Sequence, residues 1–221
     1  MLDKEGAEVK SRWRQAADLH LQTRSGLYRF VAVLFLVGVF FGAIIEGSLG
    51  PSQKQLLADE VGSFLTMLTA GQGAAPGDVV RHAAAVNLRW VAFIWIFGLS
   101  IIGLPLIVGM VFLKGFVIGF SVAFFVEKYA WPGFVISMAG MLPQNLLTVP
   151  ALMACATAGI AFSLELIRVG FARQGRGQLA DHLRGYSLLV MMMAGVALVA
   201  AGVEGLVSAR LMTLAVSRLI H

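Results

Sequence analysis

Residues 98–150 constrain the fold of this chain more than any other stretch. The stretch is apolar enough to lie in a lipid bilayer, yet it contains Pro105, Lys114, Pro143 and Gln144. Polar groups and broken backbone at membrane depth are tolerated only when they pack against protein or line a water-filled cavity. The stretch therefore predicts a membrane protein in which something other than lipid satisfies these residues.

The composition supports a polytopic membrane protein. Hydrophobic residues make up 58% of the 221 positions and charged residues only 13%, which is too much apolar surface for one soluble core. The net charge of +5 lies in tails and loops beside apolar runs. Contact with anionic lipid explains this charge better than nucleic acid does. The single cysteine, Cys155, excludes an intrachain disulfide and a cysteine-based metal site.

The first membrane span is predicted at residues 28–45, after a basic cytoplasmic tail at residues 1–27. A bilayer core needs roughly 20 helical residues, so this run is long enough to cross. Gly38 and Gly42 place two positions without side chains on one face, which favours close approach of another helix. Glu46 ends the span near the interface, where we expect it to be solvated.

A polar outer loop is predicted at residues 47–88. Within it, residues 53–68 repeat apolar side chains at helical spacing, which predicts an amphipathic helix outside the membrane. Such a helix can lie on the membrane, cover the bundle or dock an outside partner, and all three roles stay open at this point. Its candidate partner-binding residues are Leu57, Val61, Phe64 and Leu68.

The second span is predicted at residues 89–112. It contains Gly98, Gly103 and Pro105 at membrane depth. Because proline removes a backbone donor and clashes with the preceding turn, we expect Pro105 to kink this helix.

The third span is predicted at residues 115–131, directly after Lys114. We expect Lys114 to extend to the cytoplasmic headgroups, with a role in an ion pathway as the alternative. Gly115 and Gly119 repeat the small-residue spacing of the first span and predict a second helix-packing face.

Residues 133–145 are apolar but too short for a separate crossing, so they are predicted as a re-entrant or broken half-helix. Pro143, Gln144 and Asn145 form its turn, and the two amides are expected to bond to neighbouring helices. The fourth span is predicted at residues 146–167. It has Pro150 near its start, where proline is tolerated.

The predicted fold is an all-α membrane domain, residues 28–208, with about five spans in addition to the half-helix. A basic cytoplasmic loop at residues 168–185 leads to the last span at residues 186–207, and residues 209–221 form an outer tail. Eleven Lys and Arg residues fall inside and six outside. This bias favours an N-in, C-out orientation. Glu204, near the outer end, is expected to contact outer water or bond to another helix.

No catalytic constellation is visible. The chain lacks zinc-protease, nucleophile-elbow and phosphate-loop motifs, and its four histidines are widely spread. We therefore expect no catalytic residues, metal or cofactor. Broken helices with polar residues at depth also occur in transporters, so a small transporter or channel-like protein using Pro105 and residues 143–145 is the alternative function.

The order of features resembles the stage II sporulation protein M family of endospore-forming bacteria. The resemblance runs from about Tyr28 onward, and no single motif decides it. The segments that carry it are Phe35-Leu36-Val37-Gly38, Phe41-Gly42-Ala43-Ile44, Ser52-Gln53-Lys54, residues 98–105, Phe112-Leu113-Lys114-Gly115, Gly119-Phe120, Pro143-Gln144-Asn145-Leu146-Leu147, Phe162-Ser163-Leu164 and Ile167-Arg168.

The resemblance implies a membrane scaffold and no enzyme. It implies a multi-pass protein at the sporulation septum and engulfing membrane of the mother cell. Its partners would be two peptidoglycan hydrolases, sporulation proteins D and P, which the scaffold anchors and localises during engulfment of the forespore. Membrane lipid and a second copy of the chain are further expected contacts, and nucleic acid is not.

Overall fold

The computed structural model describes residues 25–69, 75–172 and 176–205. The elements found there are α1 (Ser25–Gly47), α2 (Pro51–Thr69), α3 (Pro76–Gly98), α4 (Gly103–Ala172) and α5 (Arg176–Val203). All of them are helices, so the all-α fold is confirmed for the described part of the chain. Most of the predicted tail at residues 1–27 and all of the tail at residues 209–221 lie outside it.

Helix α4 consists of two arms that meet at Ala130. The backbone angles of this residue, φ 51° and ψ −131°, interrupt the helix. We call the arms α4a (residues 103–129) and α4b (residues 131–172). The buried side chains of Phe125 and Ile136 pack together, and a Cβ on Gly133 would overlap the carbonyl oxygen of Phe125. The second arm therefore folds back along the first.

The reversal at Ala130 corrects the position of the expected turn. Residues 142–145 are helical, and Pro143 and Pro150 lie inside α4b. A proline inside a helix removes one backbone hydrogen bond, but packed neighbours within a membrane bundle can compensate for it. Pro132 instead stands in the first turn of α4b, where its missing N–H leaves no helical bond unmade. Residues 133–145 are thus the first part of a long helix.

A second correction concerns residues 89–112, which were expected to form one kinked span. Helix α3 ends at Gly98, helix α4 begins at Gly103, and the residues between them are not helical. Pro105 lies in the first turn of α4, a position that proline tolerates, so it does not kink a span. Lys114 consequently lies within α4a and not at a helix end.

Within the described part of the chain, four helices are long and apolar enough to cross a membrane: α1, α3, α4 and α5, with mean hydropathies between 1.2 and 2.4. Each arm of α4 exceeds the roughly 20 residues that a crossing requires, so the bundle offers five segments of crossing length. The exact number of crossings and the N-in, C-out orientation remain predictions.

One core joins every helix except α2. Its central side chains are fully buried: Val31 of α1, Ile94 of α3, Ile107 of α4a and Cys155 of α4b, with Val190 of α5 at 7% exposure. Large apolar side chains also cover the outside, among them Phe40, Leu146 and Met191 at 68–71% exposure. An apolar core inside an apolar surface fits a bundle that is solvated by lipid.

Candidate functional site at the outer end of the bundle

The two glycines of α1 lie against the backbone of α4a. A Cβ on Gly38 would overlap the carbonyl oxygen of Phe112, and one on Gly42 would overlap that of Phe116. Side chains at these positions would push the helices apart. The backbones can come this close only because both residues are glycine.

The two glycines of α4a make the reciprocal contacts. A Cβ on Gly115 would overlap the carbonyl oxygen of Phe35, and one on Gly119 would overlap that of Val39. Later residues of α1 contact later residues of α4a, so the two helices run parallel. Four glycines on two helices therefore form one continuous packing face.

The reversal between α3 and α4 is closely packed. A Cβ on Gly98 would overlap the hydroxyl of Tyr186, and one on Gly103 would overlap the carbonyl of Phe97. The Tyr186 hydroxyl donates a 2.8 Å hydrogen bond to the carbonyl oxygen of Ile94. These contacts fix the end of α3 against α5.

Ser163 of α4b contacts two carbonyls at the break between α3 and α4. Its buried hydroxyl lies 3.0 Å from the oxygen of Gly98 and 3.2 Å from that of Ser100. The last carbonyls of a helix have no partner within the helix, and lipid offers none. Sequence reasoning did not single out Ser163 or Tyr186 as functional residues, because each acts on a helix far from it in the chain.

We call the end of the bundle that carries the α1–α2 connection and the Ala130 reversal the outer end. Here Lys54 of α2 bonds both carboxylate oxygens of Glu127 at 2.5 and 2.6 Å, and its Nζ lies 3.8 Å from Oε1 of Glu46. The hydrogen bonds to Glu127 raise the pKa of Lys54 above its usual value, so its ammonium stays charged at neutral pH. This cluster connects α1, α2 and α4a.

The expectation that Glu46 would be solvated is wrong, because Glu46 is only 3% exposed. Lys54 and Glu127 cover it, and the three residues line one pocket of about 390 Å³. Only the fold brings Lys54 and Glu127 together, since 73 positions separate them in the chain. A sequence pattern could not have shown this burial.

Helix α2 contacts the outer end of the bundle through a few side chains. Val61 packs on the cluster of Phe125 and Ile136, whereas Leu56 on the same helix is 69% exposed. Leu57 is half-buried, and the side chains of Phe64 and Leu68 lie outside the described structure. Of the predicted partner-binding residues, Val61 is therefore turned toward the bundle, while the exposed Leu56 was not among them.

Of the predicted polar residues at depth, Gln144 and Glu204 meet at one cavity between α2, both arms of α4 and the end of α5. Asn145 instead donates a 2.8 Å hydrogen bond to the carbonyl of Met141 in its own helix. Lys114 lies within electrostatic range of Glu204, but no direct ion pair joins them in the described structure. Pro143 and Pro150 take part in no described polar contact.

Residues 25–69, 75–172 and 176–205 contain no group of three or more His, Cys, Asp or Glu side chains able to hold a metal ion. The one cysteine, Cys155, is buried and unpaired. The outer end is therefore characterised by a covering helix, a three-helix ion cluster and a cavity.

Comparison with known proteins gives one match. The family model described as Stage II sporulation protein M matches residues 31–209, which is most of the chain and overlaps every helix described above. No curated protein and no solved structure gives a significant match.

Proposed function

The chain belongs to the Stage II sporulation protein M family, and from this premise we propose that it is a membrane scaffold that anchors and localises peptidoglycan hydrolases during endospore formation. Its site of action would be the sporulation septum and the engulfing membrane of the mother cell. Family membership makes it a sporulation-related membrane protein; the scaffold role and the hydrolase partners, sporulation proteins D and P, are the proposal.

One observation carries the proposal: helix α2 is fixed to the outer end of the bundle and still presents an exposed apolar side chain. The Lys54–Glu127 pair and Val61 hold the helix in place. Leu56 is 69% exposed. A helix that is already ordered loses less conformational entropy when a partner binds than a free segment does.

Co-purification tests the scaffold directly. The protein is expressed with both hydrolases, extracted in a mild detergent and captured through an affinity tag. We expect both hydrolases to be retained, and an unrelated polytopic membrane protein to retain neither. Equal recovery on the two proteins would contradict the scaffold.

A matched pair of variants locates the docking surface. Leu56→Ser changes an apolar side chain on α2, and Met191→Ser changes one of similar exposure, 71%, on α5. We expect Leu56→Ser to reduce hydrolase recovery and Met191→Ser to leave it unchanged. If both variants recover the hydrolases as well as the original protein does, α2 is not the docking surface.

The alternative, a small transporter or channel-like protein, needs a polar path across the bundle. The cavity of Gln144 and Glu204 belongs to the outer half. The core of the other half contains Ile94, Ile107 and Cys155, all with no exposed surface. The described residues thus favour a cavity that is closed toward the other half of the bundle. In reconstituted vesicles, a transporter or channel would give an ion flux that Asn145→Ala abolishes, and we expect no such flux.

A further inference from the structure

The cavity at the outer end has walls of two kinds. Phe125, Ile136 and Met141 supply apolar surface, while Glu60, Gln144 and Glu204 supply polar atoms. Its volume is about 500 Å³. Pockets of roughly 300–1,000 Å³ that are mostly apolar, with a few polar groups, are typical of small-molecule sites.

Glu204 is the unusual group in this cavity. Its Oε2 is buried and has no hydrogen-bond partner in the described structure. A buried carboxylate oxygen without a partner is unfavourable, because it has lost its water and gained nothing in return. Oε2 of Glu204 therefore lacks a hydrogen-bond donor in the described structure.

Glu204 also borders a second cavity of about 530 Å³, on the side of α3. The charged groups there do not complete its environment, because Asp78 and Arg81 pair with each other at 3.6 Å. His82 also lines this second cavity and lies within electrostatic range of Glu204, but it makes no described hydrogen bond to the carboxylate. The unpartnered oxygen remains available.

The charges around the cavity indicate whether its ligand is a cation or an anion. Two carboxylates, Glu60 and Glu204, line the cavity of Gln144. Lys114 is the lysine within electrostatic range of Glu204, and it forms no direct ion pair with it in the described structure. One ammonium against two carboxylates leaves an excess of negative charge, which favours a cationic ligand.

We propose that this cavity binds a small organic cation, a protonated amine attached to an apolar body. The ammonium would donate to Glu204 and to the side-chain oxygen of Gln144, and the apolar body would pack on Phe125, Ile136 and Met141. Charge-assisted hydrogen bonds are the strong ones at such a site. The ligand site is independent of hydrolase binding, so either idea can fail without the other.

Benzylammonium is a suitable probe, and benzyl alcohol is its neutral counterpart of nearly the same shape. Binding is measured on the purified full chain in a nonionic detergent, by titration calorimetry and by the shift of the thermal midpoint, since a ligand that binds the folded state stabilises it. We expect benzylammonium to bind and to raise the midpoint, and benzyl alcohol to do neither.

Glu204→Gln removes the charge and keeps the shape, and should weaken benzylammonium binding by about tenfold or more. Glu165→Gln is the matched control, because Glu165 lines a different cavity near Tyr186, and binding should be unchanged. If Glu204→Gln does not fold, Gln144→Leu and Glu60→Gln serve in its place and should each weaken binding.

Two results would overturn the proposal. In the first, benzyl alcohol binds as well as benzylammonium, which would mean nonspecific partition into apolar surface. In the second, the variants of the cavity bind benzylammonium as tightly as Glu165→Gln does.

Discussion

Gly119 of α4 lies so close to Val39 of α1 that a Cβ at the glycine would overlap the carbonyl oxygen of Val39. Gly109, on the same arm of α4, has open space where its Cβ would be. The two glycines thus differ in environment while sharing a helix. The comparison separates the cost of steric overlap from the intrinsic preference of a helix for alanine.

Gly119→Ala should destabilise the protein, and Gly109→Ala should stabilise it slightly. Overpacking a close contact costs about 1–3 kcal/mol, whereas replacing an unconstrained helical glycine with alanine gains about 0.5–1 kcal/mol. The free energy of unfolding is measured by denaturation in mixed detergent and SDS micelles. A shift of the same sign in both variants would show that α1 and α4a are not in backbone contact.

Ser163→Ala should cost about 1–3 kcal/mol of stability, because it leaves the buried carbonyl of Gly98 without the hydroxyl that donates to it. Thr157→Val is the control. The Thr157 hydroxyl is also buried, but it has no hydrogen-bond partner in the described structure, so its replacement should be neutral or stabilising. The same unfolding assay compares the two, and equal losses would contradict the capping role of Ser163.

The capping role of Ser163 also explains why the sequence misplaced the second span. Gly98, Gly103 and Pro105 signalled a distortion in the run of residues 89–112, but Ile101, Ile102 and Leu104 are apolar enough to continue a membrane helix, so a kink was expected and not a break. The group that makes the break possible lies 63 positions after Ser100. Local pattern predicts that a segment is apolar and helical, but not which distant side chain satisfies its ends.

The reversal of α4 shows the same limit in another form. Proline and two amides at residues 143–145 suggested a turn, because these residue types often mark one. The actual break is at Ala130, a residue type that favours helix, although it lies beside residue 131, where the third span was predicted to end, and Pro132 follows it. Gly133 allows the second arm to pack closely on Phe125, and that tertiary contact is not visible in a local pattern. The all-α membrane fold, in contrast, followed from the apolar runs alone.

Ala130→Gly should stabilise the protein by about 1 kcal/mol. Its φ of 51° with ψ of −131° is a conformation that strains residues with a Cβ and that glycine adopts freely. Ala130→Val should destabilise it, because a β-branched side chain fits this region still less well. The midpoints of thermal unfolding in detergent are compared for the original protein and the two variants. Equal midpoints for the valine and glycine variants would exclude strain at this position.

Lys54→Met should loosen α2 from the bundle without unfolding the other helices. Lys54 joins α2 to Glu127 and Glu46, and methionine keeps the length of the side chain but removes its charge. Lys128 lines the same pocket and makes no ion pair in the described structure, so Lys128→Met is the control. Hydrogen exchange followed by mass spectrometry reports the local opening of each helix.

We expect faster exchange in peptides of α2 for Lys54→Met alone, with α1, α3 and α5 unchanged. The double variant Lys54→Glu with Glu127→Lys restores an opposite-charge pair and should recover part of the protection. If Lys128→Met speeds exchange in α2 as much as Lys54→Met does, the total positive charge at the outer end holds α2 in place, and the specific ion pairs of Lys54 do not. Protection that is unchanged in every variant would mean that the Val61 contact with Phe125 and Ile136 is sufficient to hold it.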